Sequence, residues 1–163
     1  MTSESVFYYL ATWSVIGFIA FSAYVFVVFR TGLAYTARKQ DGTMKEHIPL
    51  SGYINMFVLH ITIIAFQYLA NYLGLARENV AISFLSLFLL NFSHYFFLFV
   101  FDSVVIDGLV LSVWRPKFLH LPSALGSGSM KKHILISIPV GIAAGIILTT
   151  ASTTISYFTL FRA

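Results

Sequence analysis

The sequence predicts an all-α, polytopic membrane protein with four transmembrane helices in an antiparallel bundle, N-out and C-out. Of its 163 residues 58% are hydrophobic and 10% charged, whereas an average soluble domain is roughly half apolar and a quarter charged. The apolar residues fall in blocks of about 20 or more, the length a helix needs to cross the hydrocarbon core. Alternation at period two is absent, which favours helices over barrel strands. No internal repeat or second domain interrupts the pattern, so residues 1–163 read as one four-helix domain.

The first span covers about 6–29. The preceding MTSES has neither a basic n-region nor a small-residue cleavage pattern, and Glu4 is unlike a transit peptide, so this span is expected to be retained. The loop RTGLAYTARKQDGTMKEHIPL is long enough to form structure at the interface and is closed by Pro49 and Gly52. Span two covers about 53–73. The short GLAREN link makes spans two and three antiparallel neighbours. Span three, about 80–101, uses up the roughly 30 Å of hydrocarbon near Phe101. Asp102 then stands at the boundary, and SVVIDGLVLSVWRPKF continues as an interfacial or protruding segment, with Trp114 as a belt residue and Arg115 and Lys117 at the headgroups. The Gly- and Ser-rich LPSALGSGSMKK predicts a flexible link, and span four covers about 134–161.

The charges set the orientation. Arg30, Arg38, Lys39, Lys45, Arg115, Lys117, Lys131 and Lys132 fall on one side of the four spans, and only Arg77 and Arg162 on the other. The positive-inside rule makes loops 30–50 and 112–133 cytoplasmic. The net charge of +4 is therefore a topology signal, with attraction to anionic lipid as a secondary effect, and no nucleic-acid partner is expected. The chain has no cysteine, which removes disulfides, thiolate metal sites and cysteine nucleophiles together.

At about 100° per residue, His60, Gln67 and Asn71 of span two share a face within about 20°. This polar seam is expected to point into the bundle, because an amide or imidazole facing lipid lacks partners. In span three Asn91, Tyr95 and Asp102 share a face within about 40°, whereas Asp107 lies about 140° from Asp102 on a regular helix. That separation counts against a paired-carboxylate mechanism. His94 is eight residues inside Asp102, about 12 Å by helix rise, and His60 lies a similar number of residues inside the Ser51-Gly52 start of span two. The two histidines are thus expected at nearly equal depth. Such a pair suits the axial ligands of haem b, with Phe57, Phe92, Tyr95 and the glycines of span four shaping an apolar pocket. The competing reading is that each histidine bonds a nearby carbonyl or hydroxyl and fixes helix packing; a proton relay, quinone or other small-ligand site is a further alternative. No third histidine lies in a span, which argues against zinc, and His47, His120 and His133 match no compact metal motif. The chain also contains no P-loop, dinucleotide fingerprint, GxSxG or HExxH.

In span four Ser137, Gly141, Gly145, Thr149, Thr153 and Ser156 recur at about every fourth residue, and Gly141 and Gly145 form a GxxxG that admits close helix packing. The seam serves either the chain's own bundle or a homo-oligomer or membrane partner. The stretch FDSVVIDGLVLSVWRPKFLHLP, Phe101 to Pro122, resembles a segment of small, uncharacterised prokaryotic multi-pass membrane proteins. In those an aspartate-bearing helix end precedes a Pro-Lys-Phe or Pro-Arg-Phe turn and an apolar-Pro step. Where that pattern continues into a Gly-Thr-Glu turn, this chain has SALGSG. The resemblance implies a bacterial or archaeal membrane origin and brings no activity.

Together these features lead to an integral accessory, anchoring or small-ligand-binding subunit of a prokaryotic plasma (inner) membrane, without a catalytic domain of its own. The alternatives are a b-type cytochrome with His60 and His94 on haem b, and a small proton-coupled transporter that acts as a dimer and uses the His60, Gln67 and Asn71 seam with Asp102. An enzyme acting on lipid lacks a recognisable nucleophile or metal set.

Overall fold

The computed structural model of the chain describes residues 3–33, 46–78, 80–119 and 127–162. It is all-α, with no strand among the described residues. Helix α1 runs Ser3–Arg30, α2 Leu50–Asn71, α3 Phe84–Phe101 and α4 Ser127–Ser156. The last three continue without a break as π-helical segments, Tyr72–Ala76, Asp102–Trp114 and Tyr157–Phe161. Four stretches are long and apolar enough to cross a membrane: Glu4–Arg30, Leu50–Ala76, Phe84–Trp114 and Ser137–Phe161.

Local chemistry sets several of these ends. Gly32, in the left-handed region at φ 77°, stops α1, and its N–H donates to the Phe29 carbonyl at 3.2 Å, the usual work of a glycine beyond a helix C-terminus. Extended Pro49 precedes α2, and its carbonyl accepts from the Gly52 N–H at 2.9 Å. The Ser83 side chain accepts from the Ser86 N–H at 3.2 Å. This N-cap starts α3 at Phe84 and leaves the apolar residues from Val80 onward as a lead-in.

The order of contacts gives the relation of the helices. Tyr9 meets Asn71, Trp13 meets Phe66 and Tyr24 meets Asn55, so positions descend in α2 as they ascend in α1. Gly17 faces His94 and Phe18 stacks on Phe101 at 4.4 Å, so α1 and α3 ascend together. Asn91 meets Thr153, Tyr95 meets Gly145 and Phe99 meets Gly141, a descending order again. The closest packing is α3 with α4, α2 with α4, and α1 with α3. Despite their short link, α2 and α3 are therefore not the closest partners; α4 packs against both, and its Gly141 and Gly145 admit Phe99 and Tyr95 of α3.

Two apolar cores bracket a polar middle. One gathers Tyr9, Ala70, Leu75, Leu87 and Leu90. The other gathers Ile106, Leu111 and Leu119, packed by Phe21, Val25, Phe29 and Phe101. Leu119 reaches α1 because a short 3-10 turn, Lys117–Leu119, folds the chain back after Trp114.

The π segment changes how the aspartates are placed. Hydrogen bonds there close from i to i+5, and the Ser112 hydroxyl donates to the Asp107 carbonyl at 2.7 Å. Residues five apart, which a regular helix separates by about 140°, are brought close to one face, so Asp107 follows Asp102 by one turn on the same side. The helix runs on past Asp102 to Trp114. Of the cationic and histidine positions assigned to loops 30–50 and 112–133, Arg38, Lys39, Lys45 and His120 lie outside the described residues, as do the side chains of Lys131, Lys132 and His133.

Candidate functional site

Four amide and hydroxyl links tie the middle of the bundle together. The Tyr9 hydroxyl donates to Asn71 Oδ1 at 2.8 Å, and Asn71 Nδ2 donates to Ser156 Oγ at 3.0 Å. Gln67 Nε2 donates to the Asn91 carbonyl at 2.9 Å, and Asn91 Nδ2 donates to Thr153 Oγ1 at 3.0 Å. Gln67, Asn71, Asn91, Thr153 and Ser156 are all buried, so each bond forms where water does not compete. Bonds of this kind between membrane helices average about 0.6 kcal/mol.

A second set of buried polar atoms has no hydrogen-bond partner in the structure: Gln67 Oε1, Asn91 Oδ1, both ring nitrogens of His94, and the hydroxyls of Ser14, Thr149 and Ser152. Because the Gln67 and Asn91 amide nitrogens are already donating, what these two side chains still offer is acceptor oxygen. His94 is 2% exposed. Its ring lies against Phe66 at 5.3 Å, and Nε2 stands 3.1 Å from where a Cβ on Gly17 would sit. The missing side chain of Gly17 lets the imidazole close on the α1 backbone, toward the Trp13 carbonyl but short of hydrogen-bond geometry.

Beside His94 and Gln67 is a cavity of about 60 Å³ between α1, α2 and α3. Gly17, Ala20, Phe21 and Tyr24 form its α1 wall, Leu59, Thr62, Ile63, Phe66 and Gln67 its α2 wall, and His94, Tyr95 and Leu98 its α3 wall. Ala20 and Thr62 are exposed, so the gap between α1 and α2 opens sideways on the surface of the bundle. The Tyr24 hydroxyl, donating to Asn55 Oδ1 at 2.9 Å, bridges the two helices on the side of the Gly32 end. No Asp, Glu, Lys or Arg lines the cavity among the described residues. A wider recess of about 440 Å³ lies near the N-terminal ends of α1 and α3, but its Ser83 and Ser86 already bond each other at 2.9 Å.

The residues singled out in the sequence are distributed unevenly around this cavity. Gln67, His94 and Tyr95 line it, Asn91 stands behind Gln67, and Asn71 belongs to the neighbouring Tyr9–Ser156 link. His60 is half-buried and is not on the cavity wall. The ring of His94 is level with Phe66, six residues beyond His60 and so about 9 Å along α2. Equal depth was counted from Asp102 as the boundary of span three and from the Ser51-Gly52 start of span two. Tyr95 donates its hydroxyl to the Gly141 carbonyl at 2.9 Å. A Cβ on Gly145 would collide with the Tyr95 ring, and one on Gly141 with Phe99. The GxxxG is thus filled by α3 of the same chain. Asp102 is half-buried at the start of the π segment, away from the cavity wall. Sequence reasoning missed Gly17, Tyr24, Ile63, Phe66 and Ser152. Of these only Gly17 carries a signal, since an isolated glycine inside an apolar helix costs about 1 kcal/mol against alanine and marks a close approach.

Among the described residues no group of three or more metal-ligating side chains is close enough to hold a metal ion. Comparisons with protein-family models, curated proteins and solved structures find no match to the chain.

Proposed function

We propose that the chain is a non-catalytic membrane protein, an accessory or ligand-carrying subunit, that holds a small membrane-dissolved molecule in the cavity between α1 and α2. The observation that carries this reading is the pairing of an apolar, side-opening cavity with two buried side chains on its wall, Gln67 and His94, that keep unpartnered polar atoms. Small-molecule sites are largely apolar with a few placed polar groups, and buried polar atoms in folded proteins are ordinarily satisfied. The antiparallel, N-out and C-out arrangement in a prokaryotic plasma membrane belongs to the same proposal. It is supported by the alternating contact order along the helices and by the one-sided distribution of lysine and arginine.

The test is chemical extraction. Protein purified in mild detergent is extracted with organic solvent and the extract compared with that of Ala20→Phe, which narrows the cavity mouth at an exposed position. Wild type is expected to yield a molecule that the variant, still helical by circular dichroism, loses; identical extracts would overturn the reading. The same preparation decides the haem alternative: protein without a Soret band after haem-replete expression is not a cytochrome. A homo-oligomer or membrane partner, also part of the proposal, would engage surfaces other than Gly141 and Gly145, which α3 already covers.

A further inference from the structure

We infer that one anionic phospholipid binds at the C-terminal end of α1, its phosphate held by Arg30 and Lys117 and its chains lying against Phe26, Phe118 and Trp114. The site is separate from the cavity and rests only on the chain spanning a bilayer. Level comes first. The 27 residues from Glu4 to Arg30 extend about 40 Å by helix rise, close to the roughly 40–45 Å of a bilayer with its headgroups. Between those two residues α1 carries no charge, so they stand in opposite headgroup layers, with Arg30 at the level of the phosphates. The chain comes back to that level after Trp114. The turn Lys117–Leu119 packs on α1, and Leu119 is buried in the core against which Phe29 packs. The Phe118 ring lies 5.9 Å from that of Phe26 and 6.3 Å from that of Trp114. These rings tie the turn to α1 and bring Lys117 to the end of the helix that carries Arg30.

Exposure shows which way this corner faces. Pro116 and Leu119 are buried, whereas Phe26, Arg30, Trp114, Lys117 and Phe118 are exposed. Phe26 lies four residues before Arg30, on the same face of α1 and about 6 Å deeper. Cations above and rings below repeat the order in which a phospholipid presents its phosphate and its chains. Charge then selects the lipid. From Ser5 to the end of α1, and from Gly108 to Leu119, the chain carries Arg30, Arg115 and Lys117 and no Asp or Glu; the nearest acid along the second segment is Asp107, seven residues before Trp114. A zwitterionic headgroup brings an ammonium that opposes these cations, and an anionic one does not. The backbone marks the same place. Arg115 is left-handed at φ 48°, a conformation that residues other than glycine rarely adopt, and its N–H donates to the Val110 carbonyl at 2.8 Å. Outliers of this kind gather at ligand clamps, and here the sharp turn carries the chain from Trp114 back over α1.

The chain has two tryptophans, Trp13 and Trp114, so in a Trp13→Phe background the fluorescence of Trp114 reports this site. Protein is reconstituted in phosphatidylcholine vesicles containing a rising mole fraction of phosphatidylglycerol brominated high in its chains, and separately of phosphatidylcholine brominated at the same carbons. The phosphatidylglycerol is expected to reach half its quenching at a mole fraction at least about fivefold lower, and Lys117→Gln to reduce that preference about fivefold, the factor that one basic side chain near an anionic surface carries. Lys39→Gln removes the same charge from loop 30–50, outside the described residues, and is expected to leave the preference unchanged. Equal quenching by the two lipids would overturn the site. Equal losses in Lys39→Gln and Lys117→Gln would overturn it too, by reducing the preference to general surface charge. If Trp13→Phe fails to fold, native mass spectrometry of the parent protein and Lys117→Gln, titrated in detergent with the two unbrominated lipids, decides by whether one phosphatidylglycerol is retained in preference to phosphatidylcholine and lost in the variant.

Discussion

At the scale of single residues, Asn71 joins three helices with one amide: from α2 it accepts from Tyr9 of α1 and donates to Ser156 of α4. Replacing it by leucine strands two buried hydroxyls, so Asn71→Leu is expected to lower stability by about 1–3 kcal/mol, and Tyr9→Phe by roughly 0.5–1.5 kcal/mol. Reversible denaturant unfolding in detergent measures both. Thr149 makes the opposite case, because its hydroxyl is buried without a partner in the structure. Thr149→Val, which swaps a methyl for that hydroxyl at similar volume, is expected to be neutral or stabilising in the same assay. A loss near that of Asn71→Leu would mean the hydroxyl is bonded after all. The amides Gln67, Asn71 and Asn91 were legible in the sequence because an amide in an apolar span has nowhere to turn but inward. The level of His94 was not. It was counted from Asp102 as the hydrocarbon boundary, and residue types alone do not give the level at which His94 meets Gly17 and Phe66.

Whole elements show the same division. The small-residue register of α4 was legible as a packing seam, but only the folded chain identifies what fills it, Tyr95 over Gly145 and Phe99 over Gly141. Gly145→Ala is expected to cost about 1–3 kcal/mol through overpacking, and much less in a Tyr95→Ala background. A double-mutant cycle with a coupling of about 0.5–3 kcal/mol locates the contact. Cross-linking of Gly145→Ala is expected to give the wild-type oligomeric state, since the seam is occupied from within. The Asp102–Trp114 segment was the least legible element. Reading apolar and acidic positions at 3.6 residues per turn scatters Asp102 and Asp107, and only the i to i+5 bonding aligns them. The widened turn is visible at Gly108, where a Cβ would stand 3.3 Å from the Ser103 carbonyl, five residues back.

For the whole molecule, composition alone made four long apolar helices legible, because each block of apolar residues exceeds what a soluble core needs. Helix ends moved by a few residues where caps such as Ser83 intervene, and the order of closest packing was hidden because it depends on which helix carries the small side chains. Orientation is testable cleanly, since the chain has no cysteine and any introduced thiol is the sole one. Glu4→Cys and Arg162→Cys are expected to react with an impermeant maleimide on intact cells, and Glu46→Cys and Lys117→Cys only after permeabilisation; the reverse pattern would invert the topology. For the ligand-carrying role proposed above, the sideways opening at Ala20 and Thr62 would also fix the units in which occupancy is counted. A site whose mouth faces hydrocarbon would sample the bilayer as its solvent, so its saturation would follow the mole fraction of ligand in lipid. Adding inert lipid would empty it, and adding buffer would leave a strongly partitioned ligand in place.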